Sequence, residues 1–316
     1  MIDHDKVQYS VVVPVYNSEG SLKLLHERLV KVFSSIGVSW ELVLVNDCSK
    51  DSSWDICKEL ADNDQRVVAV NLANNFGQHN AIMCGLSVAR GESVITMDDD
   101  LQHPPEEVVK LIRTAEDGGF LVVYGQYQSR KYGRFKNLCS VALNRLISRI
   151  TARGYIATSF RIIKKPVAEK IISFRHHNVV IDVLLKDAIS RRNIGHVLVE
   201  HHPRQIGRSS YTYAKMFAYA LDMIFNYTLW PLRLATLLGL ASIIVSILLG
   251  VYFLAEYFIF GAPARGFAAL AIMITFFFGT SFFILGIIGE YVGRMFFNLN
   301  QKPQYFVKEV YKATGD

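Results

Sequence analysis

Residues 10–19 read SVVVPVYNSE, a nearly continuous run of β-branched side chains that ends in polar ones. Such a run is typical of a strand that is buried on both faces, as in a parallel sheet covered by helices. The next segment, from Ser21 to Gly37, repeats apolar side chains at helical spacing and then meets a glycine, a common helix end. The opening of the chain therefore predicts a strand followed by a helix.

The same alternation of strand and helix continues to about residue 125. Further strands are predicted at 41–45, 67–72, 93–97 and 120–124, and further helices at 53–61, 79–89 and 105–116. Repeated strand–helix–strand units indicate an α/β fold with a mainly parallel, Rossmann-like sheet. In such sheets, ligands bind beyond the carboxyl ends of the strands.

Polar and acidic side chains follow three of these strands. They are Tyr16, Asn17 and Glu19 after the first strand, Asn46, Asp47, Ser49 and Asp51 after the second, and Asp98, Asp99, Asp100 and Gln102 after the strand ending at Met97. The chain has no GxGxxG motif and no P-loop motif, which argues against both of these modes of phosphate binding. We expect a metal ion to coordinate the phosphates of any bound nucleotide instead.

The adjacent carboxylates of Asp98, Asp99 and Asp100 repel one another. A divalent cation with hard oxygen ligands relieves that repulsion most simply, so the run predicts a Mg²⁺ or Mn²⁺ site. The alternative is that these acids only favour the N-terminus of the helix that begins near Pro104 and Pro105. One acidic residue is enough for that purpose, whereas the run contains three.

The composition points to a lipid environment for part of the 316-residue chain, because 51% of the residues are hydrophobic and the mean hydropathy is +0.23. Two runs without a charge cover 22 residues at 234–255 and 24 residues at 266–289. At ~1.5 Å per residue, each can cross a hydrocarbon core of ~30 Å. They predict two transmembrane helices; the alternative is a pair of apolar core helices in one soluble domain.

The link between the two runs, residues 256–265, is short and predicts a hairpin whose flanks lie on one side of the membrane. The flanks hold nearly all of the lysine and arginine, which places them in the cytoplasm by the positive-inside tendency. The N-terminus has no apolar run and is not expected to be a signal peptide.

The predicted organisation consists of a cytoplasmic catalytic domain at 1–212, a transmembrane region at 231–291 and a cytoplasmic C-terminal tail at 292–316. Residues 213–230 are rich in aromatic side chains and methionine and predict an interfacial amphipathic helix, although a core helix of the soluble domain fits the same pattern. A GxxxG motif that ends at Gly293 favours packing between helices or between copies of the chain, so a homo-oligomer is one expectation.

The net charge of +6 is unevenly distributed. Residues 1–118 hold 10 Lys and Arg against 19 Asp and Glu, whereas residues 119–228 hold 18 against 5. The basic middle segment predicts an anionic partner. It adjoins the predicted spans and contains no recognised RNA or DNA motif, which favours lipid phosphate over nucleic acid. The four cysteines include no CxxC pair, which argues against a zinc ribbon and a disulfide scaffold.

These motifs resemble those of the family 2 glycosyltransferases of GT-A fold, in particular the membrane-anchored polyprenyl-phosphate sugar transferases that include dolichyl-phosphate mannose synthases. The matching stretches are VVVPVYNSE (11–19), VNDCSKD (45–51), NFGQHNAIMCG (75–85), MDDDLQHPPE (97–106), SFR (159–161), RQIGRSSY (204–211) and KPQYFV (302–307). The sequence of residues 77–83, GQHNAIM, is similar to that of bacterial undecaprenyl-phosphate 4-deoxy-4-formamido-L-arabinose transferases.

The resemblance implies a role for each matching residue. The implied nucleotide contacts are Pro14, Tyr16, Glu19, Asp47 and Asp98, and the implied ligands of a metal bridging the donor diphosphate are Asp100 and Gln102. Asp98 and Asp100 are the candidate catalytic residues. A metal held in this way neutralises charge on the departing nucleotide.

The candidate acceptor site lies in the basic segment. Lys136, Ser140 and Asn144 recur at four-residue spacing and would share one helical face. The resemblance implies that such a face, together with a nearby arginine, holds the lipid phosphate, and Arg130 and Arg204 are the candidates. The alternative for each of these side chains is an ordinary solvated group.

The implied activity is an inverting, metal-dependent transfer of one sugar from a nucleotide-sugar donor, expected to be a UDP-sugar, to undecaprenyl phosphate. The implied place is the cytoplasmic face of the bacterial inner membrane, in cell-envelope glycan or lipid modification. The family commonly has an aspartate, often proposed as the catalytic base, at the position of Tyr155, so the need for a base stays open.

Two other functions fit parts of the sequence. A processive polysaccharide synthase carries a Gln-x-x-Arg-Trp site, but none of Trp40, Trp54 and Trp230 follows an arginine. A catalytically decayed, membrane-anchored nucleotide-binding protein would explain the departures from the family pattern. The intact Asp98, Asp100 and Gln102 argue against decay.

Overall fold

The structure is a computed structural model, and it describes residues 7–127, 158–174, 179–202, 225, 229–260, 266–299 and 303–313. The chain divides into two compact units. The first unit combines Met1–Ser210 with Lys302–Asp316, and the second is Tyr211–Gln301.

An eight-stranded sheet forms the centre of the described part of the first unit. Its strands are β1 (Tyr9–Val15), β2 (Trp40–Asn46), β3 (Val67–Leu72), β4 (Ser93–Thr96), β5 (Val122–Gln126), β6 (Arg161–Lys164), β7 (Ile194–Leu198) and β8 (Val307–Tyr311). Their spatial order is β7-β5-β6-β4-β1-β2-β3-β8. The pairs β1–β2, β1–β4, β2–β3 and β5–β7 are parallel, while β6 and β8 run antiparallel to their neighbours.

Helices cover both faces of this sheet. They are α1 (Leu22–Ile36), α2 (Ser53–Asn63), α3 (Gln78–Val88), α4 (Val108–Asp117), α5 (Lys165–Ile172) and α6 (Ile181–Ala188), with short 3₁₀ turns at Pro105–Glu107 and Arg191–Asn193. Alternate residues of β1 point to opposite layers: Val11 and Val13 pack with α1, α2 and α4, whereas Val12 packs with α3, α5 and α6. This two-sided burial is the reason why β1 is a continuous β-branched run.

The predicted α/β fold with a mainly parallel sheet is confirmed, and each predicted strand and helix before residue 125 is present with small shifts in its bounds. The helix predicted at 105–116 is a 3₁₀ turn followed by α4. Its N-terminal prolines suit a helix start, because a proline at the first helical position lacks only an N–H that would have no partner within the helix, and its φ is already close to the helical value.

The segment predicted at 292–316 as a C-terminal tail contains regular structure in its described residues. A helix extends to Leu299, and Val307–Tyr311 is a strand of the first unit that pairs with β3. The edge of β3 presents N–H and C=O groups that need partners, and β8 supplies them. Five residues of mixed polarity carry too little periodicity to reveal such a strand in the sequence.

The second unit contains two long helices, α7 (Trp230–Phe260) and α8 (Gly266–Leu299), which include both predicted spans. Windows within them have mean hydropathies of 2.5 and 1.5 and are not buried, so both helices are long and apolar enough to cross a membrane. A Cβ built on Gly239 would lie 3.6 Å from the Cδ1 of Ile284, which brings the start of α7 close to the later part of α8, as in an antiparallel hairpin. Most of the predicted interfacial helix at 213–230 lies outside the described residues.

Candidate active site

The acidic run after β4 forms a tight turn at the carboxyl edge of the sheet. The Oδ1 of Asp100 accepts a hydrogen bond from the backbone N–H of Gln102 at 3.1 Å. Between them, Leu101 has a φ of +58°, a left-handed conformation that is uncommon for a leucine. The Leu101 side chain is only 1% exposed and packs in the core, which offsets the strain. The turn therefore holds Asp100 and Gln102, the two predicted metal ligands, next to each other.

Asp98 lies at the same edge, and both of its carboxylate oxygens accept hydrogen bonds. The Gln78 amide donates to Oδ1 at 2.6 Å, and the Ser159 hydroxyl donates to Oδ2 at 2.5 Å. Burial raises the pKa of Asp98 to about 6, and the neighbouring Asp100 and Asp99 add to the rise, while the Ser159 bond and Arg161 oppose it. A cation beside this carboxylate would favour its charged form and lower its pKa again.

Asp99 has a different role from its two neighbours. Its Oδ2 accepts hydrogen bonds from the backbone N–H of Tyr16 at 3.2 Å and from the Ser18 hydroxyl. Burial raises the pKa of Asp99, although these two bonds lower it. Asp99 thus joins the acidic turn to the loop after β1, a function that the sequence alone did not separate from metal binding.

Asp47, at the end of β2, is buried and binds the loop that precedes α3. Its Oδ1 accepts the backbone N–H of Phe76 at 2.7 Å, and its Oδ2 accepts that of Gly77 at 2.8 Å. Burial raises the pKa of Asp47, and the two backbone bonds lower it. Gly77 has φ +87° and ψ 156°, a conformation that is almost restricted to glycine. Asp47, a predicted nucleotide contact, therefore also holds the start of the segment GQH (77–79) in place.

The loops after β1 and β2 bind each other. Glu19 accepts the backbone N–H of Ser52 at 3.0 Å, and its own N–H donates to Asp51 at 3.2 Å. The Tyr16 side chain remains 42% exposed. Of the two predicted nucleotide contacts in this loop, Glu19 thus orders the loop, and Tyr16 is partly exposed to solvent.

Pro14 is buried inside β1, opposite Val45 in β2. Val12 and Pro14 face β4 with their backbone groups, but β4 ends at Thr96, opposite Val12. The missing N–H of Pro14 therefore lies beyond the last pair of β1 and β4, where proline breaks no sheet hydrogen bond.

A buried ion pair supports the site from behind. Arg161, the last residue of the SFR motif, is 1% exposed, and its guanidinium donates to Asp182 in α6 and, at 3.3 Å, to the Thr96 hydroxyl. Thr96 in turn donates to the carbonyl of Ser159 at 2.5 Å. In the sequence, the SFR motif is recognisable only by its resemblance to the family, and no sequence pattern indicates that Arg161 pairs with Asp182.

Aromatic and imidazole rings flank the other side of the acidic turn. His103 is buried and stacks on Phe160 with 5.0 Å between ring centroids, and His201 packs edge-on against it at 5.1 Å. Burial lowers the pKa of His103 to about 4, and His201 adds to the lowering. The backbone N–H of His202 donates to the carbonyl of Gln102 at 2.8 Å. The segment after β7 thus holds the acidic turn in place.

The oxygen atoms in this turn suit a divalent cation that is coordinated by the protein and by a substrate together. Asp100 and Gln102 offer oxygen ligands in one turn, and Mg²⁺ commonly takes one or two protein carboxylates together with substrate phosphates and water. In the described part of the chain, no group of three or more His, Cys, Asp or Glu side chains forms a metal site by itself.

The predicted acceptor residues are not among those that the structure describes. They are Arg130, Lys136, Ser140, Asn144 and Arg204, and Tyr155 is likewise outside the described ranges. Their assignment stays a prediction.

Comparison with known proteins shows the family of the chain. The model of the family described as "Glycosyl transferase family 2" matches residues 10–166, which include the acidic turn and the Asp47 loop. An undecaprenyl-phosphate 4-deoxy-4-formamido-L-arabinose transferase from Proteus mirabilis is 35% identical over 306 residues, covering 95% of this chain and 93% of its own length. The enzyme of that name from Pectobacterium atrosepticum is 34% identical over 318 residues, covering 99% and 96%.

Among solved structures, glucosyl-3-phosphoglycerate synthase from Mycobacterium tuberculosis has a TM-score of 0.51 and 18% identity, covering 69% of this chain and 78% of its own. That likeness supports the GT-A fold of the first unit. The predicted glycosyltransferase activity is confirmed by the family match and the near full-length relatives. The chain belongs to glycosyl transferase family 2.

Proposed function

We propose that the protein transfers a single sugar from a nucleotide-sugar donor, a UDP-sugar, to undecaprenyl phosphate at the cytoplasmic face of the bacterial inner membrane. The observation that carries the proposal is the meeting of Asp98, Asp100 and Gln102 at one sheet edge in a chain that also has two helices of membrane-spanning length. The acceptor in the proposal comes from the names of the near full-length relatives.

The donor half of the proposal rests on the carboxyl edge of the sheet. The exposed ring of Tyr16 offers a stacking surface for a base, and the ordered loops around Asp47 and Glu19 offer polar groups for the nucleoside. Asp98 is held by Gln78 and Ser159 and would therefore meet the donor without a prior rearrangement of its own side chain.

Asp100 and Gln102 would hold a Mg²⁺ or Mn²⁺ ion, which, when bound, supplies positive charge to the diphosphate leaving group. The protein's contribution is to keep both side chains in one strained turn. The backbone hydrogen bond from His202 to Gln102 and the buried side chain of Leu101 hold that turn from two sides.

The acceptor half assigns the lipid phosphate to Lys136, Ser140 and an arginine, Arg130 or Arg204. A phosphate monoester loses its second proton near pH ~6, so most of the acceptor is a dianion at pH 7. Its oxygen attacks the anomeric carbon as the bond to the nucleoside diphosphate breaks, and the leaving group takes the electron pair. The configuration at that carbon inverts. The nucleophile is already unprotonated, so Tyr155 need not act as a base.

The experiment is a donor panel with product analysis. The full-length protein in detergent is incubated with undecaprenyl phosphate and UDP- or GDP-sugars, and the lipid is examined by mass spectrometry. We expect the lipid to gain one sugar residue from one UDP-sugar, with one nucleoside diphosphate released per product. Undecaprenol without phosphate should give no product. A ladder of additions would indicate a processive synthase, and no product from any donor would overturn the proposal.

A further inference from the structure

Residues 303–311, here called the strap, are a part of the first unit that the proposed function does not use. Their strand β8 closes the edge of β3, with Tyr311 opposite Ala69 and Val307 opposite Leu72. The register shifts between Asn71 and Leu72, so the strap bends where it approaches the end of β3.

The pairing continues beyond the end of β3 into the loop that binds Asp47. The backbone N–H of Ala73 donates to the carbonyl of Phe306 at 2.9 Å. Three and four residues later, Phe76 and Gly77 donate their N–H groups to the Asp47 carboxylate. Residues 73–75 are exposed, so the strap at one end and Asp47 at the other are the main constraints on this loop.

Two strap side chains bind the surrounding elements. Gln304 is buried and donates its amide to the carbonyl of Phe174, just after α5, at 2.6 Å. The Tyr305 hydroxyl lies 3.0 Å from the Ser87 hydroxyl in α3. Helix α3 begins at Gln78, whose amide donates to Asp98. The strap thus contacts both the loop that binds Asp47 and the helix whose first residue binds Asp98.

Apolar packing joins the same parts. The rings of Phe76 and Tyr305 and the side chain of Val307 all pack against the cluster formed by α3, α5 and one face of the sheet. A displacement of the strap would therefore remove the hydrogen bond at Ala73 and also the packing of Tyr305 and Val307 on the cluster against which Phe76 packs.

We propose that the strap is a positioning element of the donor site. Gln304 and Tyr305 fix the strap against the end of α5 and against α3, and the Phe306 carbonyl then holds the start of the loop 73–77, so that Asp47 and Asp98 are preorganised for the nucleotide. This inference rests on the proposed function for the identity of the ligand. Its physical basis is conformational entropy. A loop that is already held in its binding conformation loses less entropy when the ligand binds, so the ligand binds more tightly.

The test compares changes at the two ends of the strap. Tyr305→Phe removes the hydroxyl next to Ser87, and Gln304→Ala removes the bond to Phe174. The matched control is Tyr311→Phe, which removes a hydroxyl that donates to Asp62 at 2.6 Å at the far end of the strap. The measurements are the dissociation constant of UDP by calorimetry, the donor KM and kcat, and amide hydrogen exchange of residues 73–78.

We expect the dissociation constant and the donor KM to rise about three- to tenfold in the Gln304→Ala, Tyr305→Phe double variant, with kcat within about twofold of the parent and faster exchange at 73–78. Tyr305→Phe alone should show a smaller change in the same direction, and it is conservative enough to retain the fold. Tyr311→Phe should match the parent.

An unchanged UDP dissociation constant in the double variant, or an equal change in Tyr311→Phe, would overturn the inference. If the parent protein bound no nucleoside diphosphate, the proposed function would fail instead. In that case, the exchange measurement alone still tests the strap, because exchange at 73–78 as slow in the double variant as in Tyr311→Phe would show that the strap does not hold the loop.

Discussion

The Ser159 hydroxyl donates a hydrogen bond to the Asp98 carboxylate at 2.5 Å, although 61 residues separate them in the chain. Asp98 follows β4 and Ser159 precedes β6, and the antiparallel pairing of these strands brings the two residues together. The other oxygen of Asp98 accepts the Gln78 amide at the start of α3. Three distant segments thus converge on one carboxylate, which is buried enough to have a pKa of about 6.

This raised pKa predicts that Asp98 destabilises the ligand-free protein at neutral pH. A group whose pKa is raised on folding stabilises the fold fully below its ordinary pKa of ~4, and that contribution is lost as pH rises through the folded value, about 6 here. Asp98→Asn carries no charge to desolvate, so it should raise the unfolding temperature at pH 7.5 and lose most of that advantage by pH 4.5. Thermal unfolding in detergent without metal measures this.

The control for Asp98→Asn is Asp55→Asn, which changes a carboxylate on α2 that is 76% exposed. It should show no gain in unfolding temperature at pH 7.5. If Asp98→Asn were no more stable than the parent at that pH, the carboxylate would not be a source of strain in the ligand-free fold.

Asp100→Ala should reduce sugar transfer by a factor on the order of 10³ or more, because several kcal/mol of charge stabilisation on the leaving diphosphate would be lost. Glu106→Gln is the matched control, since Glu106 belongs to the same acidic stretch but forms an ion pair with Arg28. It should leave the rate within about twofold of the parent. Initial rates with and without a chelator measure both effects, and full activity of Asp100→Ala would remove the residue from the metal site.

Gly77→Ala should weaken both the fold and donor binding. Its backbone conformation, φ +87° and ψ 156°, costs a residue with a Cβ ~1–3 kcal/mol, and relaxing it would turn an N–H away from Asp47. Gly37→Ala is the comparison, because Gly37 has φ +66° at the end of α1, away from the carboxyl edge of the sheet. It should lower stability by ~1 kcal/mol without changing the donor KM. Equal donor KM values in the two variants would contradict the role given to the Gly77 N–H.

Cys48→Gly should stabilise the protein slightly. Cys48 has φ +57°, a left-handed conformation that costs a residue with a Cβ ~1–2 kcal/mol. Glycine avoids this cost but loses more backbone entropy on folding, which offsets ~0.5–1 kcal/mol of the gain in stability. Cys48→Val places a β-branched side chain in the same conformation and should be the least stable of the three. Denaturant midpoints give the order, which would be disproved by a valine variant at least as stable as the glycine variant.

The buried pair of Arg161 and Asp182 predicts a non-additive loss of stability. Arg161→Met or Asp182→Leu leaves one charge buried without its partner, at a cost of ~3–5 kcal/mol, whereas the double variant leaves neither charge. The double variant should therefore be more stable than the sum of the single losses predicts. Chemical unfolding of the four proteins measures the coupling, and additive losses would show that the pair contributes no specific interaction.

Much of the fold follows from local patterns. The β-branched run at 10–15 predicts a strand that is buried on both faces, and the structure divides its alternate residues between two core layers. The strands β6 and β7 and the C-terminal β8 were not predicted, because short strands completed by pairing with distant partners carry little periodicity of their own.

The same division applies to the candidate site. The position of Asp98, Asp100 and Gln102 after a strand predicted a cation-binding edge, since parallel strands present their carboxyl ends together. The separate role of Asp99, which binds Tyr16 and Ser18, could not be predicted because it depends on which neighbouring loop each carboxylate meets. The support of Asp47 by Phe76 and Gly77 depends likewise on a loop conformation.

The α/β class, the two long apolar helices, the family and the residue types of the acidic edge could all be predicted from the sequence, because each depends on local composition, periodicity or a motif. Which side chains act together became visible only in the folded chain: Ser159 with Asp98, Arg161 with Asp182, and the strap with the Asp47 loop. Such pairs join residues far apart in the chain, so their distance and burial are defined only after the strands between them have paired.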